Sequence, residues 1–166
     1  MADQRERAEA VARTVTDPEL PMLTLADLGV LREVRVEEGR VLVTLTPTYT
    51  GCPATATMQE DLASRLGAAG FPEVEVRISL APPWSTDLIT AHGRATLARH
   101  GISPPGPAPA AAGPVPLSLV RPRRYARCPR CGSDHVGVVS EFGPTACTAL
   151  YRCEDCGEPF EHLKEV

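Results

Sequence analysis

The sequence lacks any apolar run long enough to cross a bilayer, and its first residues, MADQRERAEAVAR, lack the apolar core of a signal peptide. It also lacks an excess of positive charge, because 17 Lys and Arg stand against 21 Asp and Glu. These absences argue against a membrane protein, a secreted protein and a chain that binds nucleic acid through its overall charge. We therefore expect a cytoplasmic protein. In a reducing cytosol, its six cysteines favour metal binding or thiol chemistry over disulfides.

Proline is concentrated in residues 103–122, SPPGPAPAAAGPVPLSLVRP, which hold seven of the 17 prolines. Because proline removes backbone donors and disfavours helix at the preceding residue, this segment predicts a semi-extended linker. The linker separates residues 1–102 from residues 123–166. The second part has about 44 residues, which bury too little apolar surface to fold without a bound metal or another cross-link.

The first part, residues 1–102, carries alternating types of element. The predicted elements are a helix at 4–13, strands at 31–36 and 40–46, a helix at 53–68, a strand at 73–79 and a helix at 86–98. The third strand rests on the strict alternation of EVEVRIS, and the second helix rests on the four-residue spacing of Met58, Leu62 and Leu66. This α-β-β-α-β-α order predicts an α+β domain whose small sheet is covered on one face by helices.

Two Cys-x-x-Cys-Gly knuckles begin at Cys128 and Cys153, with 21 residues between them. Two residues between cysteines let the chain turn about a metal, and the following glycine takes a positive φ at little cost. The thiolates of Cys128, Cys131, Cys153 and Cys156 therefore predict a closed structural zinc site in a β zinc ribbon. Mononuclear iron or an iron–sulfur cluster fits the same spacing, but zinc is favoured because no neighbouring feature indicates electron transfer.

The interval between the knuckles has room for two strands, at 136–142 and 147–151. Cys147, on the second of these, is interpreted as a small buried residue, with a role as a ligand or thiol partner as the alternative. His135 and His162 are expected at the surface, because four cysteines leave no vacancy at a metal. Seven basic and seven acidic residues from 121 onwards favour a protein partner or plain stabilisation over nucleic-acid binding.

The sixth cysteine, Cys52, lies apart in the stretch TPTYTGCPATAT. If a helix begins at Pro53, Cys52 is its N-cap, and we expect an exposed sulfur that faces unpaired N–H groups and the positive end of the helix dipole. Such a position lowers a thiol pKa from about 8.5 to roughly 3.5–7.5 and favours attack on electrophiles or binding of soft metals. The alternative is an ordinary capping cysteine with a half-buried sulfur. Catalysis with a histidine base is disfavoured, because neither His92 nor His100 has the sequence context of a triad.

An acidic set, Asp17, Glu19 and Asp27, precedes the predicted hairpin. Capping of loops is the usual explanation for such residues. The alternative is that they contribute to a site near Cys52.

Four stretches of the sequence resemble one family of assembly proteins. DPELPMLTLADLGVLREVRV, TPTYTGCPA and APPWSTDLITAHGRATLARHGISPP resemble the iron–sulfur assembly domain of MIP-eighteen and SufT-type proteins. The tail, CPRCGSDHVGVVSEFGPTACTALYRCEDCGEPFEHLK, resembles the ribbon that follows this domain in the PaaD (PaaJ) family of phenylacetyl-CoA 1,2-epoxidase subunits. By position, Asp17 and Glu19 match the family's acidic signature, and Cys52 matches its reactive cysteine.

This resemblance implies a place in aerobic phenylacetate breakdown through coenzyme A thioesters. The chain is implied to be non-catalytic, since the oxygenase subunit carries a di-iron centre and the reductase carries flavin and an iron–sulfur cluster. Its implied role is to assist iron–sulfur or iron centre assembly in these partners, with a transient cluster or iron at Cys52 and structural zinc in the ribbon. A lone thiolate cannot complete a four-ligand site, so a second copy of the chain or a small thiol would be needed. The alternative is a zinc-ribbon adaptor that binds protein without transferring metal.

Overall fold

A computed structural model of the chain describes residues 2–108 and 125–165. The chain divides into two compact units. One runs to Trp84 and includes Leu88–Thr96, and the other comprises Ser85–Asp87 and the chain from Leu97 onwards. Within the described ranges, no helix has the length and apolar character that a membrane span requires.

The first unit follows the predicted order of helices and strands. Its elements are α1 (Ala2–Ala12), β1 (Leu31–Glu37), β2 (Arg40–Leu45), α2 (Thr55–Ala68), β3 (Glu73–Ile78) and most of α3 (Ala91–Arg99). The last predicted helix begins later than expected, because residues Thr86–Leu88 form a single 3₁₀ turn before α3. The α+β fold class expected from the sequence is confirmed.

The first sheet has the strand order β1-β2-β3. β1 and β2 are antiparallel, from Leu31 opposite Leu45 to Glu37 opposite Arg40, whereas β2 and β3 are parallel. A parallel pair needs a crossover connection, and α2 supplies it. Side chains alternate between faces, so the valines of the strands lie on one face and most of the charged residues on the other.

The buried face of this sheet and the two helices that pack on it form the core. The helix α2 contributes Met58, Leu62 and Leu66, which are all fully buried, as the four-residue spacing predicted. The outer face carries exposed ion pairs, among them Arg40 with Glu73 at 3.2 Å.

The second unit is built on a four-stranded sheet with the order β4-β7-β6-β5. Its strands are β4 (Ile102–Ser103), β5 (Val136–Ser140), β6 (Thr148–Cys153) and β7 (Pro159–Leu163). The two strands predicted between the knuckles correspond to β5 and β6, while β4 and β7 were not predicted. β4 pairs with β7 in parallel, so the first residue of the predicted linker lies inside this sheet. Residues 109–122 of the predicted linker lie outside the described residues.

Candidate functional site: a lone thiol and a four-thiol metal centre

The four knuckle cysteines converge at one point in the second unit. Their sulfur atoms all lie within 4.8 Å of one another. The closest pairs join the two knuckles, with 3.5 Å between the sulfurs of Cys131 and Cys153 and 3.7 Å between those of Cys128 and Cys156. Two of the four side chains are buried and two are exposed, so the centre lies at the edge of the ribbon core.

The two knuckles have the same backbone geometry. In each, the glycine after the second cysteine has φ of 76°, and its N–H donates to the carbonyl of the first cysteine. The N–H of that first cysteine donates to the carbonyl of the residue after the glycine. The bonds are Gly132 N to Cys128 O (2.8 Å), Gly157 N to Cys153 O (3.0 Å), Cys128 N to Ser133 O (2.9 Å) and Cys153 N to Glu158 O (2.9 Å). The positive φ favours glycine, which explains its place in both motifs.

The donor set fits a tetrahedral zinc ion. Zinc–sulfur bonds of about 2.3 Å in a tetrahedron place sulfurs about 3.8 Å apart, close to the shortest separations found here. Backbone N–H groups, first that of Cys156, lower the pKa of Cys153 to about 7. The Ser133 N–H lowers the pKa of Cys131, but the neighbouring thiols and burial outweigh it and raise that pKa to about 12. All four thiols can be ionised together at this separation only around a bound cation, and closed four-thiolate sites are typical of structural zinc.

Charged and polar side chains around the four cysteines also join one knuckle to the other. Arg130 Nη1 lies 2.6 Å from Glu158 Oε2, and the Ser133 hydroxyl donates to Asp155. His135 Nδ1 lies 3.5 Å from Asp155 Oδ1 and is exposed, as the sequence predicted.

The expectation that His162 lies at the surface is wrong. Its side chain is fully buried, because alternation along β7 places it on the core side with Phe160. The ring meets Tyr151 edge-on, with 5.3 Å between centroids, and Nε2 lies 3.2 Å from Glu165 Oε1. Burial raises the pKa of Glu165, but bonds from His162 and from the Gly106 N–H outweigh it and lower the pKa to about 2. Residue spacing around the knuckles gives no signal for this pair.

The fifth ribbon cysteine stands outside the four-thiol group. Cys147 is partly buried, and its sulfur lies 3.1 Å from Thr145 Oγ1. Its backbone carbonyl accepts a hydrogen bond from Lys164 N at 2.9 Å. Cys147 therefore lies immediately before β6 and is only partly buried, so the expectation of a buried residue on that strand is met only in part.

The expectation that Cys52 is a helix N-cap is wrong. The helix α2 begins at Thr55, and its N-cap is Ala54, which has helical backbone angles and no side-chain capping bond. A turn precedes the helix, in which Thr55 N and Thr55 Oγ1 both donate to the Cys52 carbonyl at 3.2 and 2.8 Å. The carbonyl of Cys52, rather than its sulfur, therefore engages the start of the helix.

The expectation of an exposed Cys52 sulfur is also wrong, because the residue retains 9% of its accessible surface. Its neighbours Thr50, Gly51 and Pro53 are exposed, and a Cβ added at Gly51 would meet nothing within 4 Å. Within the described residues, the sulfur makes no hydrogen bond. Cys52 thus lies just beneath an open loop surface, where its backbone but not its sulfur is hydrogen-bonded to described residues.

The loop with Cys52 leaves the sheet at the carboxyl end of the parallel pair β2 and β3. Backbone hydrogen bonds continue past the ends of the strands. They join Thr46, the first residue of the loop, to the segment that precedes β1. The bonds are Leu25 N to Val15 O (2.9 Å), Leu31 N to Leu25 O (3.0 Å), Thr46 N to Val30 O (2.9 Å) and Ser79 N to Leu45 O (2.8 Å). The carboxyl ends of parallel strands are the usual place for ligand sites in sheets with helical crossovers.

Asp17 lies in the segment after α1 and caps a turn. Its Oδ1 accepts hydrogen bonds from Glu19 N and Leu20 N at 2.8 Å each, and the residue is 8% exposed. Burial raises the pKa of Asp17 by more than the two backbone bonds lower it. Burial, followed by the charge of Asp17, also raises the pKa of Glu19, which is partly exposed. Loop capping therefore accounts for Asp17, while no hydrogen bond from the described part of the chain engages the Glu19 carboxylate.

Asp27 joins two segments that are far apart in the sequence. Its carboxylate accepts bonds from Thr24 Oγ1 at 2.7 Å and from Thr90 Oγ1 at 3.1 Å, and His92 Nδ1 lies 3.1 Å from Oδ1. Burial raises the pKa of Asp27, but these bonds together outweigh it and lower the pKa. The pairing of His92 with a carboxylate was not predicted, because a contact across 65 residues leaves no local pattern. His92 makes no hydrogen bond to Cys52 within the described residues.

Two protein-family models match the chain. Residues 5–79 match the model of the iron–sulfur cluster assembly protein, and residues 112–164 match the model of the PaaD zinc beta ribbon domain. The first match contains Asp17, Glu19 and Cys52, and the second contains all four knuckle cysteines.

Three known proteins show how far the similarity extends. An Escherichia coli K12 protein, named as a putative subunit of 1,2-phenylacetyl-CoA epoxidase, is 44% identical over 156 residues, 93% of this chain and 89% of its own length. The Fe-S protein maturation auxiliary factor SufT of Staphylococcus aureus is 33% identical over 87 residues, 50% of this chain and 96% of its own. A crystal structure of a DUF59 domain from Bacillus anthracis, 26% identical, covers 58% of this chain and 92% of its own, with a TM-score of 0.54.

The fold, the four-thiol centre and the similarity along nearly the whole length agree with the resemblance seen in the sequence. The chain belongs to the PaaD family of 1,2-phenylacetyl-CoA epoxidase subunits, in which an iron–sulfur cluster assembly domain is followed by a zinc ribbon.

Proposed function

We propose that this protein is an accessory maturation subunit of a phenylacetyl-CoA epoxidase and assists assembly of an iron–sulfur or iron centre in a partner subunit. The observation that supports this most directly is the placement of Cys52. Its sulfur has no hydrogen-bond partner among the described residues and lies in a loop at the carboxyl end of two parallel strands, within the domain that matches the assembly family. The oxygenase and reductase subunits are the proposed partners in phenylacetate breakdown.

The transfer step is a ligand exchange at the metal. The Cys52 thiol loses its proton to solvent, and the thiolate forms a bond to an incoming iron as another thiolate leaves that iron. Delivery reverses the exchange when a cysteine or another anionic ligand of the client displaces Cys52, so no electron is gained or lost. Because one sulfur cannot fill four positions, the remaining ligands come from a second chain or a small thiol.

Opening of the loop is the step that makes the sulfur available. At 9% exposure, Cys52 cannot reach an incoming iron without a local displacement of residues 46–54. The exposed residues Gly51 and Pro53 flank it, and no side chain lies within 4 Å of the Gly51 Cβ position. Local openings of this kind are smaller in free energy than global unfolding.

The acidic pair has two different roles in this proposal. Asp17 holds the turn that begins at Glu19, since its carboxylate accepts two backbone N–H groups. Glu19 is the carboxylate that remains available, and we assign to it a contact with the positively charged cargo. The ribbon holds one zinc ion through its four cysteines and docks the client.

The test is a Cys52→Ser variant co-expressed with all epoxidase subunits. We expect the fold and zinc content to be unchanged, while the partner's iron and sulfide content and the epoxidase activity fall severalfold. Cys147→Ser is the matched control, because Cys147 is the other cysteine outside the four-thiol group and should have little effect. Unchanged metal content and activity in the partner after Cys52→Ser would remove the maturation role.

A second candidate function is a ribbon adaptor that holds the complex together without transferring metal. The low exposure of Cys52 favours it, because a small buried cysteine is also an ordinary core residue. This function predicts that Cys52→Ser leaves both partner binding and epoxidase activity intact. Co-purification of the epoxidase subunits with each variant, together with iron and sulfide analysis of anaerobically purified protein, separates the two functions.

A further inference from the structure

The free edges of the two sheets differ in charge. The edge strands of the first sheet carry many charged residues, which are Arg32, Glu33, Arg35 and Glu37 in β1 (LREVRVE) and Glu73, Glu75 and Arg77 in β3 (EVEVRI). Charged residues on edge strands prevent unwanted pairing with other strands. The edge strand β5 of the ribbon, VGVVS, has no charged residue and no proline. β5 therefore lacks the charged residues that protect both edges of the first sheet, although its register shifts between Val138 and Ser140.

The backbone of β5 presents hydrogen-bonding groups to its open side. Glu154 N donates to His135 O at 2.9 Å, so this pair is hydrogen-bonded across the β5–β6 ladder. Because hydrogen-bonded pairs alternate with non-bonded pairs in an antiparallel ladder, Gly137 also faces β6, whereas Val136 and Val138 direct their N–H and C=O groups outwards. Among the described residues, no strand pairs with that outer side.

Apolar side chains and a cavity adjoin the same edge. Val138 is 45% exposed, Val139 is 63% exposed, and Phe142, two residues beyond the strand, is 76% exposed. A cavity of about 380 Å³ opens beside them, lined by residues that include Gly137, Val139 and Arg152. The edge thus offers backbone partners for a strand and an adjoining space for its side chains, the two elements of recognition by strand addition.

We propose that β5 binds an extended, uncharged and largely apolar segment of the client protein, which adds to the ribbon as a further strand. This rests on the proposed function, because the client is the subunit that the ribbon docks. A second copy of this chain is disfavoured as the occupant, since pairing two five-residue strands buries far less than the roughly 1,200–2,000 Å² of a stable interface. A larger partner can supply the remaining contact from surfaces around the strand.

Amide exchange of the zinc-loaded full chain tests this directly. Exchange is measured with the chain alone and with each purified epoxidase subunit, the oxygenase and the reductase. We expect the amides of Val136 and Val138 to be unprotected in the free chain and to slow at least about tenfold on binding, as each gains a backbone hydrogen bond. The amide of Gly137, which already faces β6, should change little. Protection of Val136 and Val138 in the free chain at every concentration, or no change on binding, would overturn the proposal.

Two variants of one residue provide the matched comparison. Val138→Pro removes the outward N–H and leaves the bonds to β6 intact, so subunit affinity should fall about tenfold with zinc content unchanged. Val138→Ile keeps the N–H, the β-branched shape and the apolar surface, and should change affinity less than about threefold. Equal affinities for the two variants would overturn strand addition, and protection that rises with the concentration of the chain alone would show a second copy as the occupant.

The result also separates this inference from the maturation role. If Val138→Pro binds its client normally while Cys52→Ser abolishes maturation, the maturation role stands and the docking edge is wrong. If Val138→Pro weakens binding while Cys52→Ser has no effect, the edge stands and the adaptor function replaces maturation. Absence of binding by either subunit would contradict both.

Discussion

The two units of this protein hold together by different physical means, although each is built on a small sheet. The first unit has a continuous apolar core, in which Leu45, Leu62 and Leu66 are fully buried. Among the described residues of the second unit, one buried hydrophobic cluster has six members, and two of them are the knuckle cysteines Cys128 and Cys153. We therefore expect the first unit to depend on packing and the second to depend on a metal ion bound by its thiols.

The same contrast separates the four cysteines of the metal centre from Cys52. Four are fixed by backbone bonds in two matching knuckles, and their sulfurs point to one shared centre. Cys52 lies in a loop with no partner for its sulfur among the described residues. A cysteine that stabilises a fold through metal has its ligand set complete within the chain, whereas a carrier cysteine needs ligands from elsewhere. Under the proposed function, the ribbon thiols stabilise the fold and Cys52 carries out the transfer.

Metal removal should have the largest effect and should act on the two units differently. A chelator, or Cys128→Ser, should unfold the ribbon, because binding of a structural zinc contributes about 10–16 kcal/mol to the folding of small zinc domains. The first unit should keep its structure. Limited proteolysis and amide exchange of the full chain, before and after chelation, would map the loss to residues beyond 125.

Cys147→Ser is the control for metal removal, since Cys147 is a ribbon cysteine outside the four-thiol group. It should retain one zinc ion per chain and the protease resistance of the unmodified protein. A chelated protein whose ribbon resists protease as before would contradict a metal-dependent fold.

Local patterns in the sequence were sufficient to predict most helices and strands of the first unit and the ligands of the metal centre. Alternation and four-residue spacing report directly on burial, so β3 and α2 were predicted to within one or two residues. The knuckles were predictable because a metal site built from two tight turns is specified by short spacings. The four thiols meet as the motifs indicated.

The remaining features depend on contacts that no local pattern records. The sequence of β7 is PFEHL, in which proline, glutamate and histidine do not favour a strand. It becomes a strand through its pairing with β4 and β6. The burial of Cys52 follows from the path of the loop before α2, which begins two residues later than a proline at the first helical position would suggest. The bond between Asp27 and His92 joins residues 65 apart, so neither residue predicts the other.

Removal of core volume should affect the first unit more than the second. Leu62 is fully buried, so Leu62→Ala should lower the free energy of unfolding of the first unit by about 2–5 kcal/mol. Leu80 is 53% exposed, so Leu80→Ala should change the free energy of unfolding by less than about 0.5 kcal/mol. Thermal unfolding followed by circular dichroism, with zinc content measured in parallel, checks both. Loss of zinc in Leu62→Ala would contradict the separate stabilisation of the units.

The smallest expected effect concerns the carboxylate of Asp17. Asp17→Ala leaves the N–H groups of Glu19 and Leu20 without an acceptor and should cost about 1–3 kcal/mol in the first unit. Asp17→Asn keeps an acceptor oxygen. Because burial raises the pKa of Asp17, its ionised form weakens the fold, and stability falls as pH rises from about 3.8 through the raised pKa. At pH 7, Asp17→Asn should therefore equal or exceed the unmodified protein in stability.

Urea unfolding of both Asp17 variants at pH 7 and below about pH 3 measures this difference. The advantage of Asp17→Asn should disappear below about pH 3, where the carboxyl is protonated in both states, while the deficit of Asp17→Ala should remain. Epoxidase maturation with the Asn variant then separates structure from chemistry. If maturation is retained, Asp17 acts through the turn that it caps. If maturation falls while stability does not, the negative charge of Asp17 itself takes part in handling the cargo, and the division of roles between Asp17 and Glu19 is wrong.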